Sequence, residues 1–299
     1  MAINFNTSPY YDDFAESDNF HRILFKPGAA VQARELTQLQ TILQNQIARF
    51  GQNIFKEGSV VIPGQQMFDK FYSYVKLTDT YNTTNSDEMI VDLVGAIVTG
   101  QTTGVTARVV NYAVATTTDP STIYVKYTGS GTDKETAVFA NGEVLSFTYG
   151  TNSTTTLQAA ASSATGKGVS FAVAAGVIFI KGAFVYFADE TIIISKYSDS
   201  PSQSVGFLIT EDIITSDESD ALLDPAVGSY NYFAPGSDRY HIGLSLQART
   251  FPEASTADSN YVELSRIEDG VTIYQKLVSE YNVLGDTLLV EHLMNRVIM

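Results

Sequence analysis

The sequence predicts a mainly β protein with a long N-terminal α-helix, built from β-sandwich or small β-barrel modules and closed by a short C-terminal helix. Three observations support this fold class. One long amphipathic stretch occupies residues 31–50, short β-type segments separated by Gly, Thr, Asn and Ser follow from about residue 90, and denser apolar runs begin near residue 169. Many short strands at even spacing are typical of sandwiches and small barrels.

The N-terminal arm, residues 1–24, interleaves aromatic residues with carboxylates and amides. Tyr10 and Tyr11 stand directly before Asp12 and Asp13. Termini of this composition are often ordered only against another surface. Two interpretations are open: a solvated, loosely held terminus, or an arm that docks on a neighbour through contacts that include Tyr10 and Tyr11.

The helix predicted over residues 31–50 carries one apolar stripe and many glutamines. The stripe residues, three or four positions apart, are Leu36, Leu39, Leu43, Ile47 and Phe50. Pro27-Gly28 predicts a turn before the helix, and Gly51 predicts a left-handed stop after it. The polar side has almost no charge, and glutamine amides hydrogen-bond well across interfaces.

The stripe has two interpretations. It is the face that packs on the protein's own sheet, the seam of a homo-oligomer, or each of these at a different end of the helix. In the second case Leu36, Leu39, Leu43, Gln46 and Phe50 take the seam positions of heptads, and Gln46 forms one polar layer that sets the register.

The remaining elements are predicted as short strands. They cover residues 58–64, 71–77, 89–93, 105–110, 122–127, 143–149, 169–173, 176–187, 191–194, 205–210, 240–248, 261–266 and 271–277. Lys181-Gly182 and Glu268-Asp269-Gly270 are typical of hairpin turns. The Thr-, Ser- and Ala-rich stretch over residues 151–168 is predicted as a surface loop. Leucines spaced along residues 283–299 predict the C-terminal helix.

These elements divide the chain into four parts. Residues 1–90 form a docking and oligomerisation region with the arm, the helix and the first strands. Residues 91–168 form an inserted small β module, residues 169–282 a β core domain, and residues 283–299 the C-terminal helix. A chain of 299 residues is long enough for several such units.

Composition excludes several classes of partner and site. The net charge of −15 argues against nucleic acid and against anionic membranes, since both require clustered Lys and Arg. No stretch reaches the ~18 apolar residues of a membrane span. The absence of cysteine excludes disulfides and thiolate metal sites. We expect neither a cofactor nor a metal.

No set of residues forms a convincing catalytic site. His21, His241 and His292 are far apart in sequence and none belongs to a ligand-spaced pair. The stretch Thr165-Gly166-Lys167-Gly168 lacks the first glycine and the final hydroxyl residue of a phosphate loop. Gly129-Ser130-Gly131 lacks the third glycine of a dinucleotide fingerprint.

The acidic run over residues 211–220 is the best metal candidate, because closely spaced carboxylates can hold calcium. A solvated loop is the favoured interpretation, since the run lacks the glycine and the final glutamate of a helix-loop-helix site. A carboxylate pair of the glycosidase type is disfavoured because the chain has no tryptophan for a sugar cleft.

Two long blocks of the sequence carry a recognisable signature. The first block comprises residues 5–14, residues 20–28 and the helix over residues 31–40, and the second comprises residues 222–226, 228–232 and 234–240. Together they resemble a family of virion structural proteins of contractile-tailed phages, including phages of cyanobacteria. The resemblance extends over about residues 4–250 and implies a tail, baseplate or tail-fibre component, in which this region is the virion-proximal part of a longer fibre-like chain.

The resemblance sets the functional expectation. It implies a non-enzymatic structural protein of the virion, assembled in the host cytoplasm, with other tail or baseplate proteins as partners and with homo-oligomers, a trimer being favoured. Because the sequence ends at Met299 where longer relatives continue, a short adaptor or fibre-base protein is expected. The alternative is a tail protein that binds a host glycan through the 91–168 module.

Overall fold

The computed structural model describes residues 4–149, 153–250 and 258–282, and residue 287. Within them the α-helices are α1 (Ala33–Ile54) and α2 (Ser86–Ile90), and short 3-10 turns cover Glu16–Asp18, Val91–Leu93 and Asp220–Leu222. The strands in chain order are β1 (Ser59–Ile62), β2 (Gln66–Lys76), β3 (Thr80–Tyr81), β4 (Thr84–Asn85), β5 (Ile97–Gly100), β6 (Thr106–Ala113), β7 (Thr122–Gly129), β8 (Val144–Tyr149), β9 (Ser153–Gln158), β10 (Thr165–Val173), β11 (Gly176–Ile180), β12 (Ala183–Phe187), β13 (Glu190–Ser195), β14 (Gln203–Ile214), β15 (Arg239–Thr250), β16 (Tyr261–Glu268) and β17 (Val271–Gln275).

The described strands pair in antiparallel fashion and form several sheets, so the predicted mainly β fold is confirmed. The largest sheet has eight strands in the order β13-β10-β2-β7-β6-β5-β8-β9. A four-stranded sheet has the order β15-β14-β16-β17, a three-stranded sheet the order β1-β11-β12, and β3 pairs with β4. None of the described helices is long and apolar enough to cross a membrane.

Two separate clusters of buried apolar side chains hold these sheets together. One cluster lies between residues 75 and 164 and includes Leu93, Phe139 and Phe147. The other joins β1 and every strand from β10 to β16, and includes Phe171 and Phe207. Full burial of such side chains contributes about 1.5–3 kcal/mol each. The large sheet therefore passes through both clusters.

The predicted hairpin turns are confirmed. Lys181 and Gly182 both have positive φ, 51° and 74°, and they connect β11 to β12. Asp269 and Gly270, with φ of 48° and 70°, connect β16 to β17 in the same way. Two-residue turns with positive φ at both positions match the twist of the flanking strands.

The predicted barrel closure is wrong. The eight-stranded order is open, with β13 and β9 at its edges, and an isolated bridge between Leu77 and Ala159 joins the residue after β9 to the residue after β2, an inner strand of the sheet. β2 has 11 residues, and residues 66–75 pair with β10, while its last three residues pair with β7 on the other side. Because β10 occupies one edge of β2 over nearly its full length, β9 cannot form a full ladder with β2 and close the sheet.

Other predicted elements also differ from the structure. Residues 89–93, predicted as a strand, belong to α2 and a 3-10 turn, because the Asn85 side chain accepts a hydrogen bond from the backbone of Asp87 and caps the helix. The 151–168 stretch, predicted as a loop, contains β9 and the start of β10, and Leu157 and Ala164 are fully buried. Threonine is β-branched, and its low-complexity runs suit a strand.

The helix and the acidic run need further correction. The predicted long helix is of moderate length: α1 has 22 residues, and it passes through Gly51 instead of ending there. The acidic run is not all loop, because β14 continues through Glu211 and Asp212 to Ile214. The predicted C-terminal helix lies outside the described residues, apart from residue 287.

Candidate interface

Helix α1 begins with a capping box. The Gln32 backbone N–H donates to Glu35 Oε2 at 2.9 Å, and the Gln32 side chain accepts from the backbone of Glu35. This exchange satisfies two of the backbone donors that a helix start leaves without partners. The short polar residues usual at this position are absent, and a glutamine performs their role. The first turn of α1 is therefore fixed by residues of the helix itself.

The inward side of α1 packs on the three-stranded sheet. Ile42 is only 3% exposed, and Gly51 is buried directly against the ring of Phe179, where a Cβ atom would clash. Ala48 lies similarly close to Gly182 in the β11–β12 turn. Gly51 therefore serves close packing of a helix on a strand, which explains why the helix does not stop there.

The N-terminal arm lies along α1 and binds its charged residues. Arg34 Nη1 contacts Asp13 Oδ2 at 2.7 Å, and Arg49 Nε donates to Glu16 Oε1 at 2.9 Å. Between these ion pairs the Thr41 hydroxyl donates to Asp12. The guanidinium of Arg49 lowers the pKa of the Glu16 carboxyl because its hydrogen bonds favour the charged form.

The arm also contacts the second sequence block. The Tyr10 hydroxyl donates to Asp238 Oδ2 at 2.6 Å, and this hydrogen bond raises the pKa of Tyr10. Phe5 packs edge-to-face on Tyr240, with ring centroids 5.2 Å apart. These contacts join residues more than 200 positions apart, so the two blocks that resemble virion proteins adjoin in space.

The second block forms a compact loop between the backbone positions Leu223 and Gly236. Its ends are tied by an isolated bridge between Leu223 and Pro235 and by the Asp224 N–H bond to the Ala234 carbonyl. The aromatic and aliphatic side chains at its tip are exposed: Val227, Tyr230, Tyr232 and Phe233. Phe233 has a φ of 64°, which is a strained conformation for a bulky residue.

We use the term composite surface for the arm (residues 4–25), α1 and the loop with its flank (residues 223–240). Of the sequence-predicted contact residues, Leu36, Leu43, Gln46, Phe50 and Tyr11 are exposed on it, and Leu39 and Tyr10 are half-buried. The prediction that these residues contact a partner stays a prediction. Their exposure rules out the interpretation of Leu36, Leu43 and Phe50 as the face of α1 that packs on the protein's own sheet.

Sequence reasoning missed the contribution of the loop tip. Val227 and Tyr230 stand among Gly, Pro, Ser and Asn, a composition that predicts a solvated turn. The two apolar side chains were the available signal of a contact surface, because the side chains of a solvated turn are exposed. The arm residues Tyr10 and Phe5 connect the flank of the loop, at Asp238 and Tyr240, to the arm that lies along α1. No local sequence pattern indicates these contacts.

The residues considered for chemistry form no common site among the described residues. Glu211 forms a salt bridge with Lys181 at 3.1 Å and accepts a hydrogen bond from Tyr240. His21 and His241 are exposed, whereas His292 lies outside the described residues. Among the described residues no group of three or more His, Asp or Glu is placed to hold a metal ion. The lysine of the rejected phosphate-loop stretch, Lys167 in β10, lies over the ring of Phe71 in β2.

The described surface also has shallow depressions. One, of about 460 Å³, is lined by Asp79, Thr80, Asn85, Asp87, Ala115, Thr116, Thr117, Thr118, Asp119 and Pro120. Asp87 accepts hydrogen bonds from the backbone of Ala115 and from Ser121, and Asp119 pairs with Lys196. Asp87 and Asp119, two of the three carboxylates in the lining, therefore stabilise the surrounding structure.

A family model described as "Domain of unknown function (DUF4815)" matches residues 8–152 and 156–290. No curated protein and no solved structure matches the chain.

Proposed function

The chain belongs to the DUF4815 family, and we propose that this protein is a non-enzymatic structural component of a phage tail. It joins the baseplate or tail to fibres as a short adaptor or fibre-base protein. Its place is the virion, it assembles in the host cytoplasm, and its partners are other tail or baseplate proteins. The observation that carries the proposal is the composite surface, whose three connected parts all carry exposed apolar side chains.

The composition of that surface fits a permanent interface. Large exposed apolar residues occur in all three of its parts: Phe20, Leu24 and Phe25 in the arm, Leu36, Leu43, Ile47 and Phe50 in α1, and Val227, Tyr230, Tyr232 and Phe233 in the loop. Apolar patches of this extent on a soluble protein mark interaction sites. Aromatic residues dominate the energy of such interfaces, since they bury a large area at low entropic cost.

The geometry also gives the resemblance a physical meaning. Both blocks that resemble phage virion proteins contribute to the same surface, and the Tyr10–Asp238 hydrogen bond holds them together. A shared requirement to bind the same kind of neighbour would preserve an arm, a helix and a distant loop as one unit. This convergence supports a structural role in assembly.

The test uses the phage that encodes the chain. Cross-linking of purified virions followed by mass spectrometry should connect residues 223–240 and the arm to a tail or baseplate protein. Tyr230→Ser should reduce incorporation of the chain into virions at least about 10-fold, because a loop-tip aromatic is an interface anchor. Val271→Ser, on the exposed strand β17, is the matched control and should incorporate normally. Absence of the chain from purified virions would overturn the proposal.

A second candidate function is glycan binding, which the depression of about 460 Å³ favours. Its lining offers carboxylates, an amide and threonine hydroxyls, the groups that hydrogen-bond sugar hydroxyls, and part of it belongs to the 91–168 region. A glycan array with the full chain tests it. Binding that disappears in Asp79→Ala would support this function, and an array with no signal would remove it.

A further inference from the structure

The exposed stripe of α1 follows a heptad register different from the one the sequence suggested. Positions 33, 36, 40, 43, 47 and 50 are all exposed, and Ile54 continues the series at half-burial. The steps of three and four alternate without a break, which is the spacing of a coiled-coil seam. Leu39, a seam residue in the other register, is half-buried against the body. The polar layer of the seam is therefore Gln40 and not Gln46.

The stripe lies on the outer side of α1. At 100° per residue, Thr41 and Ala48 lie about 140° and 120° around the helix from Leu36. These two residues contact the arm and the β11–β12 turn. The contacts hold α1 on the body by a side away from Leu36, and the stripe positions from 33 to 50 stay exposed.

The stripe also lacks charge, and the reason is structural. The charged residues of α1 are Arg34, Glu35 and Arg49. The arm pairs both arginines, and Glu35 closes the capping box. In a protein of net charge −15, two copies repel each other, and only an uncharged contact face lets them approach. A face of leucine, isoleucine, phenylalanine and glutamine meets that condition.

We propose that the occupant of this stripe is the same stripe of further copies of this chain, with the α1 helices parallel and in register. This inference deepens the proposed structural role and rests on it by naming the partner of α1. The helices need no separate folding step, because the capping box and the packing of Ile42 and Gly51 already order α1. A preordered helix loses little conformational entropy on association.

Gln40 determines the orientation. Its amide is both donor and acceptor, so a glutamine from each copy can satisfy the others when the helices are parallel. In an antiparallel pair of fully overlapping helices, Gln40 would face Ile47 across the centre of the helix near position 43. That arrangement would bury an amide without a partner, which is costly. A single polar layer at such a position is a known way to set register in coiled coils.

The first experiment measures mass. Sedimentation of the purified full chain at micromolar concentration should give two or three chains per particle. Leu43→Asp should remain folded by circular dichroism and weaken association at least about 100-fold, because it places a charge in an apolar seam. Val271→Asp is the matched control, since Val271 and Leu43 are 59% and 58% exposed. A wild-type chain that stays monomeric at roughly 100 μM, a concentration at which even a weak complex forms, would overturn the inference. Association that survives Leu43→Asp would also overturn it.

The second experiment measures orientation, and the cysteine-free chain makes it direct. Under mild oxidation Gln40→Cys should form a covalent link between copies in high yield, and Val271→Cys should not. In a mixture of Leu36→Cys and Phe50→Cys copies, parallel helices give only like-with-like links. Unlike links would contradict the parallel arrangement, and no link at position 40 would contradict the register. These outcomes are separate from virion incorporation, so failure of the self-association inference and failure of the tail function can be told apart.

Discussion

Two adjacent residues of α1 provide the sharpest test of how the helix is placed. Ile42 is 3% exposed and Leu43 is 58% exposed, so truncation of each to alanine should have very different costs. Ile42→Ala removes buried methyl groups and leaves a cavity, with an expected loss of about 2–5 kcal/mol of unfolding free energy. Leu43 has only about two fifths of its surface buried. Leu43→Ala should therefore cost under about 1 kcal/mol, part of which the better helix propensity of alanine offsets.

The assay is urea unfolding followed by far-ultraviolet circular dichroism. Measurements should be made at a protein concentration low enough that the midpoint no longer depends on it, so that only intramolecular contacts contribute. The expected difference between the two variants is about 2 kcal/mol, with Ile42→Ala the less stable. Equal losses, or a larger loss for Leu43→Ala in the dissociated chain, would refute the conclusion that the stripe faces outward.

Three further predictions follow from described contacts. Glu143→Gln should lower unfolding free energy by about 1–3 kcal/mol in urea unfolding, because the buried carboxylate accepts hydrogen bonds from Thr103 that an amide cannot fully replace; an unchanged midpoint would contradict this. Gly51→Ala should cost about 1–3 kcal/mol by overpacking in the same assay, and a more stable variant would argue against close helix packing there. Glu16 has a lowered pKa in the folded state, so its pairing with Arg49 stabilises the arm fully above the unfolded pKa of roughly 4.3, and this stabilisation is lost as pH falls through the folded-state pKa. Hydrogen exchange of the wild type should therefore show weaker protection of the arm at acidic pH. Glu16→Gln should show the same weaker protection already at neutral pH.

Local features were predictable wherever a few neighbouring residues determine the backbone. The Lys181-Gly182 turn needs two residues that tolerate positive φ, and the sequence supplies them between two β-type runs. The position of α1 was predictable from its spacing of apolar residues. The end of α1 was not, because Gly51 fits equally well as a stop and as a close-packing residue. Only the ring of Phe179, which lies over it, decides between the two.

Long-range organisation was outside the reach of the sequence. β2 pairs with β10, about a hundred residues later, and with β7, and neither partner follows from alternation alone. The Tyr10–Asp238 hydrogen bond spans 228 positions. The same limit applies to the stripe of α1. Spacing of three and four allows a polar layer at Gln40 or at Gln46, and only the half-burial of Leu39, a seam residue in the Gln46 register, separates the two registers.

The segment between β2 and β10 has a consequence for protein engineering. The backbone N–H of Lys76 donates to the carbonyl of Ala164 at 2.7 Å, so the segment between them starts and ends at neighbouring points. A stretch whose ends already touch can be exchanged or lengthened with little extra closure entropy. Residues 77–163 are thus a segment into which a foreign domain can be inserted. Foreign domains grafted there would be displayed at a fixed place while β2 and β10 keep their pairing.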